Sequence, residues 1–122
     1  MKVVINACYG GFNLSDEAVE YCISKGMTCT VTNKGGGLKD QNADFVKWNN
    51  RKTRRYSARQ DHPNAFRCNP IVVEAVEKLG DKANGQCAKL KVIDIPFQDE
   101  NGWVIDEYDG FEQIEEEHRT WG

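Results

Sequence analysis

The stretch Asn69-Pro70-Ile71-Val72-Val73-Glu74-Ala75-Val76-Glu77-Lys78-Leu79-Gly80 carries a complete helix signal. Asn69 can cap the helix, and Pro70 takes the first helical position, where its missing N–H removes no bond. Val72, Val76 and Leu79 form an apolar stripe, Glu74 faces Lys78 one turn on, and Gly80 is a natural stop. Ala83-Asn84-Gly85 then makes a turn into Cys87–Ile95. There Ala88, Leu90 and Val92 alternate with Lys89 and Lys91, the period of a half-buried strand that Pro96 ends.

On the N-terminal side, Val3–Ile5 is a short β-branched strand that runs into Cys8-Tyr9-Gly10-Gly11-Phe12. Two glycines there allow a tight turn. Asn13 or Ser15 can cap a second helix carrying Leu14, Ala18, Val19, Cys22 and Ile23 at helical spacing, with Asp16 and Glu17 in its first turn and Gly26 at its end. Met27, Cys29 and Val31 alternate with three threonines, which predicts a strand with the first set facing the core.

On the C-terminal side, Asn101-Gly102 predicts a hairpin in which Trp103-Val104-Ile105 pairs with the preceding strand. Phe111, Ile114 and His118 share one face of an expected short, acidic terminal helix. From Asn33 to Arg67 no period is visible, and the stretch is too long for an idle connection. It is either a functional loop or contains strands without detectable alternation. The predicted order gives an α+β fold, a mainly antiparallel sheet with two main helices on one side and a short C-terminal helix, in a single domain spanning residues 1–122.

The size agrees with one domain: 122 residues with 39% apolar content suffice for one core. No apolar run approaches the roughly 18 residues of a membrane span, and the start turns polar by Asn6, so a cytoplasmic location and no membrane partner are expected. The five cysteines are odd in number and form no Cys-x-x-Cys pair, and the two histidines, His62 and His118, are far apart. Disulfides, structural zinc and a cofactor are not expected, and the cysteines read as small buried residues. Cys8, beside the glycine turn, is the thiol placed to be exposed.

The net charge of −3 hides two blocks: six basic residues against one acid between Arg51 and Arg67, and ten acids without a lysine or arginine from Asp94 to Glu117. Such blocks serve as solvated faces or pair across a fold or between subunits. The balance argues against general nucleic-acid binding and for a local anion site. Arg54 and Arg55 beside Tyr56, with Trp48 and Phe66 nearby, combine phosphate-matching forks with stacking faces. A solvated basic loop with its aromatics in the core explains the same residues equally well.

Tyr9-Gly10-Gly11-Phe12 has the outline of a phosphate loop but neither its lysine nor a dinucleotide spacing, so a tight turn with packed aromatics is the better reading. Asp106 and Glu107 point to opposite faces of a strand, which with Asp109 argues against a metal or acid–base pair. At the other end His118, Arg119 and Trp121 are residue types of binding sites, or else a docked tail. The candidate ligand-binding set is Tyr9, Phe12, Arg54, Arg55, Tyr56, Asn84, His118, Arg119 and Trp121.

Three blocks carry a resemblance to a known family: the opening Met1-Lys2-Val3-Val4-Ile5-Asn6 with Cys8-Tyr9-Gly10-Gly11-Phe12 and Leu14-Ser15, the run from Asn69 to Pro96, and Glu107-Tyr108-Asp109-Gly110 through His118-Arg119-Thr120-Trp121. Together they resemble a set of small bacteriophage and prophage proteins. In size, setting and architecture the chain is also similar to the Thoeris anti-defence sponge proteins. That resemblance implies a homo-oligomer that sequesters a small anionic nucleotide ligand, a cyclic ADP-ribose isomer or cyclic oligonucleotide, without cleaving it. Two other readings stand beside it. One is an inhibitor whose acidic C-terminal block binds a host defence protein or imitates nucleic acid; the other is a small nucleotide-processing enzyme with Cys8 and His118 as nucleophile and base.

Overall fold

β-branched Val3, Val4 and Ile5 favour a strand, and in the computed structural model both faces of that strand are buried. The structure describes residues 1–32, 43–49, 55–58 and 63–116. The elements run β1 (Lys2–Asn6), α1 (Asp16–Ser24), β2 (Cys29–Thr32), β3 (Phe45–Trp48), β4 (Tyr56–Ala58), α2 (Pro63–Arg67), α3 (Pro70–Leu79), a 3₁₀ turn (Gly80–Ala83), β5 (Leu90–Asp94), β6 (Trp103–Tyr108) and β7 (Phe111–Glu116). The antiparallel pairs are β1–β5, β3–β4 and β6–β7, and β2–β3 is parallel. The fold is α+β with antiparallel pairing dominant, as the sequence leads one to expect.

Two apolar cores meet at β1. Val4 joins the larger one with Val19 and Cys22 of α1, Val72 and Val76 of α3, and Phe45 of β3. Val3 and Ile5, on the opposite face, join Ile95 and the fully buried Trp103, against which Ile105 and Ile114 pack. The period of two along β1 therefore sorts consecutive side chains into separate cores. Both main helices start as their sequences dictate. Ser15 caps α1 by accepting from the Ala18 N–H, and Asn69 caps α3 by accepting from the Ile71 N–H.

Three local expectations are corrected. The hairpin does not form at Asn101-Gly102. Instead β6 turns into β7 through Asp109-Gly110, whose φ angles of 51° and 90° are those of a type I′ turn, and β6 pairs with β7 while β5 pairs with β1. Asn101 serves a bend that seats Trp103: its N–H donates to Asp99 Oδ1 at 2.8 Å, and the Trp103 indole donates to the Asp99 carbonyl at 2.7 Å. The expected short terminal helix is likewise replaced by β7 across Phe111–Glu116. Cross-strand bonding overrides its weak helical pattern, so Phe111 and Ile114 lie on opposite faces. Along β2 and its approach the expectation holds only in part: Met27 and Cys29 meet the main core, but Thr30 is buried as well and Val31 is 44% exposed, because the pairing with β3 covers the strand unevenly.

Among the described residues one ion pair is buried. Arg67 and Glu112 are each about 95% buried and meet bidentately, Nη1 to Oε1 at 2.5 Å and Nη2 to Oε2 at 2.8 Å. Glu112 Oε1 also accepts the Asn6 N–H at 2.8 Å. The fully buried Asn6 side chain donates to the carbonyls of Cys8 and Gly110, both at 2.7 Å, and accepts from the Lys89 N–H at 2.8 Å. This network joins the end of α2, β1, β7, the hairpin turn and the approach to β5.

Removing one partner strands a buried charge. Arg67→Met should therefore lower stability in urea by about 3–5 kcal/mol, and Arg67→Met/Glu112→Leu should regain much of that loss. A double variant as unstable as the single one would contradict this.

Candidate ligand cleft

Two chain segments meet around a cleft of about 170 Å³, lined by Phe12, Asn13 and Leu14 before α1, Val19 on α1, and Tyr56, Ser57 and Ala58 on β4. Local bonding holds the first segment. Leu14 bridges to Asn84, the Gly85 N–H donates to the Asn13 carbonyl at 2.8 Å, and the Ser15 N–H donates to the Ala83 carbonyl at 2.9 Å. The second segment is held by β3: Tyr56 lies opposite Lys47, and Ser57 Oγ accepts from the Trp48 indole at 3.1 Å.

Phe12 forms a fixed wall. The Arg67 guanidinium lies 3.5 Å from its ring centroid, and Phe66 meets it edge-on with centroids 6.2 Å apart. The buried ion pair thus reaches the cleft through one cation–π contact. Tyr56 forms another wall, with Lys47 Nζ 5.8 Å from its ring centroid. Burial pushes its phenol above the ordinary value, Glu20 adds to the rise and Arg55 opposes it, so the hydroxyl is a neutral donor at physiological pH. No described residue bonds to this hydroxyl or to the Asn13 side-chain amide. Rings and unpaired polar groups on one concave wall are the makings of a ligand site.

The candidate residues separate clearly. Phe12 and Tyr56 come together in the cleft. Arg55 stands beside it, but its Nε meets Asp16 Oδ2 at 3.4 Å and its guanidinium lies 3.8 Å from Glu20, so α1 carboxylates share its charge. Asn84 is structural, its Oδ1 accepting from the Leu90 N–H at 2.7 Å. Tyr9 is 70% exposed and packs on Phe111, apart from the residues lining the cleft. Arg54, His118, Arg119 and Trp121 lie outside the described residues. Asn13 and Ser57 were not singled out as ligand contacts; only the meeting of β4 with the α1 approach brings them to one wall.

The glycine turn is structural. The Gly10 N–H donates to the Asp109 carbonyl at 3.1 Å, and a Cβ on Gly10 would collide with the Cys87 carbonyl. That close packing, with the Ser15 cap, supports the tight-turn reading over a phosphate loop. Cys8 is engaged too: its Sγ lies 3.4 Å from Asn6 Oδ1 and 3.2 Å from the Cys87 carbonyl. Among the described residues no group of His, Cys, Asp and Glu is arranged to hold a metal ion, and no described helix is long and apolar enough to cross a membrane.

No family model, curated protein or solved structure matches the chain.

Burial divides the thiols. Cys22 is fully buried and pushed from 9.0 up to about 11, chiefly by desolvation, whereas Cys87 is exposed. The stabilisation tied to the neutral Cys22 thiol is complete below the unfolded-state value and is lost as pH rises through the folded-state value. Urea midpoints should therefore fall between about pH 9 and 11, and Cys22→Ala should flatten that fall. In native protein at pH 8, an aromatic disulfide reagent should modify Cys87 well before Cys22; equal rates would contradict the assigned burial.

Proposed function

We propose that the chain is a small-ligand-binding protein that holds one planar, hydrogen-bonding ring of nucleobase type in the Phe12–Tyr56 cleft and sequesters the molecule without converting it. The observation that carries this reading is the convergence of two aromatic walls with a phenol and an amide to which no described residue hydrogen-bonds. At about 170 Å³ the cleft is smaller than the roughly 300–1,000 Å³ of ordinary ligand pockets, which suits one ring of a larger ligand. Its described lining offers the Ser57 and Tyr56 hydroxyls but no imidazole or carboxylate beside them to activate a nucleophile.

In the phage counter-defence setting implied by the resemblance, the ligand is a cyclic nucleotide-type immune signal. Its base enters the cleft, and assembly of several copies encloses the remainder. Arg55 is already shared with Asp16 and Glu20, so the ring rather than the phosphate supplies most of the affinity on this wall.

Native mass spectrometry with cyclic ADP-ribose isomers, cyclic di- and trinucleotides and the parent nucleosides tests the proposal, followed by release of the bound molecule on heating. The expected result is an oligomer that returns its ligand unchanged. Tyr56→Ala should weaken binding about tenfold or more by calorimetry, the range for loss of a base–aromatic stack, measured where the variant is fully folded because Tyr56 also packs against the main core. A chemically altered ligand, or wild-type affinity in Tyr56→Ala, would overturn it.

A further inference from the structure

The β6–β7 hairpin has an outer face that the interior does not use. Val104 stands opposite Glu115, Asp106 opposite Gln113 and Tyr108 opposite Phe111 on that face, while Trp103, Ile105, Glu107, Glu112, Ile114 and Glu116 occupy the other one. Tyr9 extends the outer surface, its ring 5.5 Å from that of Phe111. Tyr9, Tyr108 and Val104 are 70%, 74% and 40% exposed, three of the four large apolar residues exposed among the described residues. Tyr9 and Tyr108 both neighbour Phe111, and Val104 lies further along the same face of β6, so the three share one surface rather than being scattered.

The same hairpin is electrically unbalanced. Asp106 and Glu115 on the outer face and Asp109 in the turn have no ion-pair partner among the described residues, and neither have Glu107 and Glu116 at the edges of the other face; of the hairpin's acids Glu112 alone is compensated there, by Arg67. No lysine or arginine occurs from Asp94 to Glu117. Like charges gathered on two strands repel one another, and exposed rings gain nothing from water. A partner that relieves both must be cationic and must present flat surfaces to aromatic faces. Arginine does both, because its guanidinium stacks on rings while its fork meets carboxylates, whereas lysine offers only a hydrated point charge. Polyanionic partners, nucleic acid and acidic membranes alike, are repelled.

We infer that the outer face of the β6–β7 hairpin, with Tyr9, is a docking surface for an arginine-rich segment of a partner protein. It shares no lining residue with the Phe12–Tyr56 cleft and stands or falls independently of it.

The test uses the whole chain with nona-arginine and nona-lysine peptides, by calorimetry and amide chemical-shift mapping at about 50 mM and about 500 mM salt. Nona-arginine should bind at least about fivefold tighter than nona-lysine at low salt, with shifts centred on residues 104–115 and Tyr9. Asp106→Asn/Glu115→Gln should weaken binding about tenfold, and Tyr108→Ser should erase the preference for arginine. Glu17→Gln/Asp81→Asn makes the same charge change elsewhere and should alter affinity less than about twofold. Equal weakening in that control, no arginine preference, no binding, or a dimer of this chain that Tyr108→Ser dissociates would each overturn the inference.

Discussion

The bidentate pair between Arg67 and Glu112 is the constraint on which the rest of the structure depends. Two opposite charges buried this deeply are held only if every donor and acceptor is satisfied, because each has given up its hydration. That requirement fixes relative positions across the chain. Arg67 comes from the end of α2, Glu112 from the inner face of β7, and the Asn6 N–H from β1. A one-residue slip of β7 would turn Glu112 to solvent and leave Arg67 unpaired inside. Asn6 then extends the constraint to the hairpin turn and to the strand beside it, so both faces of β1 are locked before any apolar contact is counted.

The pair also accounts for part of the charge pattern of the chain. One member of the basic block and one of the acidic block turn inward and neutralise each other, which is pairing across the fold. Arg55 falls to the acids at the start of α1. Among the described residues, what is left is a hairpin whose exposed carboxylates have no ion-pair partner and a cleft beside which Arg55 is already engaged. Phe12 connects the interior to that cleft, since one face of its ring meets the Arg67 guanidinium. The cleft wall therefore inherits the rigidity of the buried network, and a preformed wall lowers the ordering cost of binding a ring.

The parts legible in the sequence are those governed by short-range chemistry. Ser15 and Asn69 announce α1 and α3 because a cap is a bond between residues two or three apart. The parts governed by pairing across long separations are hidden. β3 and β4 exist because Phe45 meets Cys29 on one side and Ala58 on the other, and neither of these two segments, unlike β2, alternates clearly enough to show it. Likewise Glu112 reads as one acid among many until β7 places it opposite Arg67. Of two turn signals, Asn101-Gly102 and Asp109-Gly110, the first has the stronger reputation for hairpins. The second closes the hairpin, because only there do strands with inward Trp103, Ile105 and Ile114 flank the turn. For the cleft, Phe12 and Tyr56 were visible as aromatic candidates, whereas Asn13 and Ser57 become neighbours only through tertiary structure.

Native-state hydrogen exchange at the Asn6 amide tests the buried network most directly. This N–H is fully buried, donates to Glu112 Oε1 at 2.8 Å and stands where all the joined elements meet. If the network locks the fold, the amide exchanges only through global unfolding, with an opening free energy equal to that from urea denaturation and the full denaturant dependence. Exchange through a local opening, at a free energy well below the global value and insensitive to denaturant, would show that the Arg67–Glu112 pair separates while the rest of the protein stays folded, and would contradict its place at the centre of the structure.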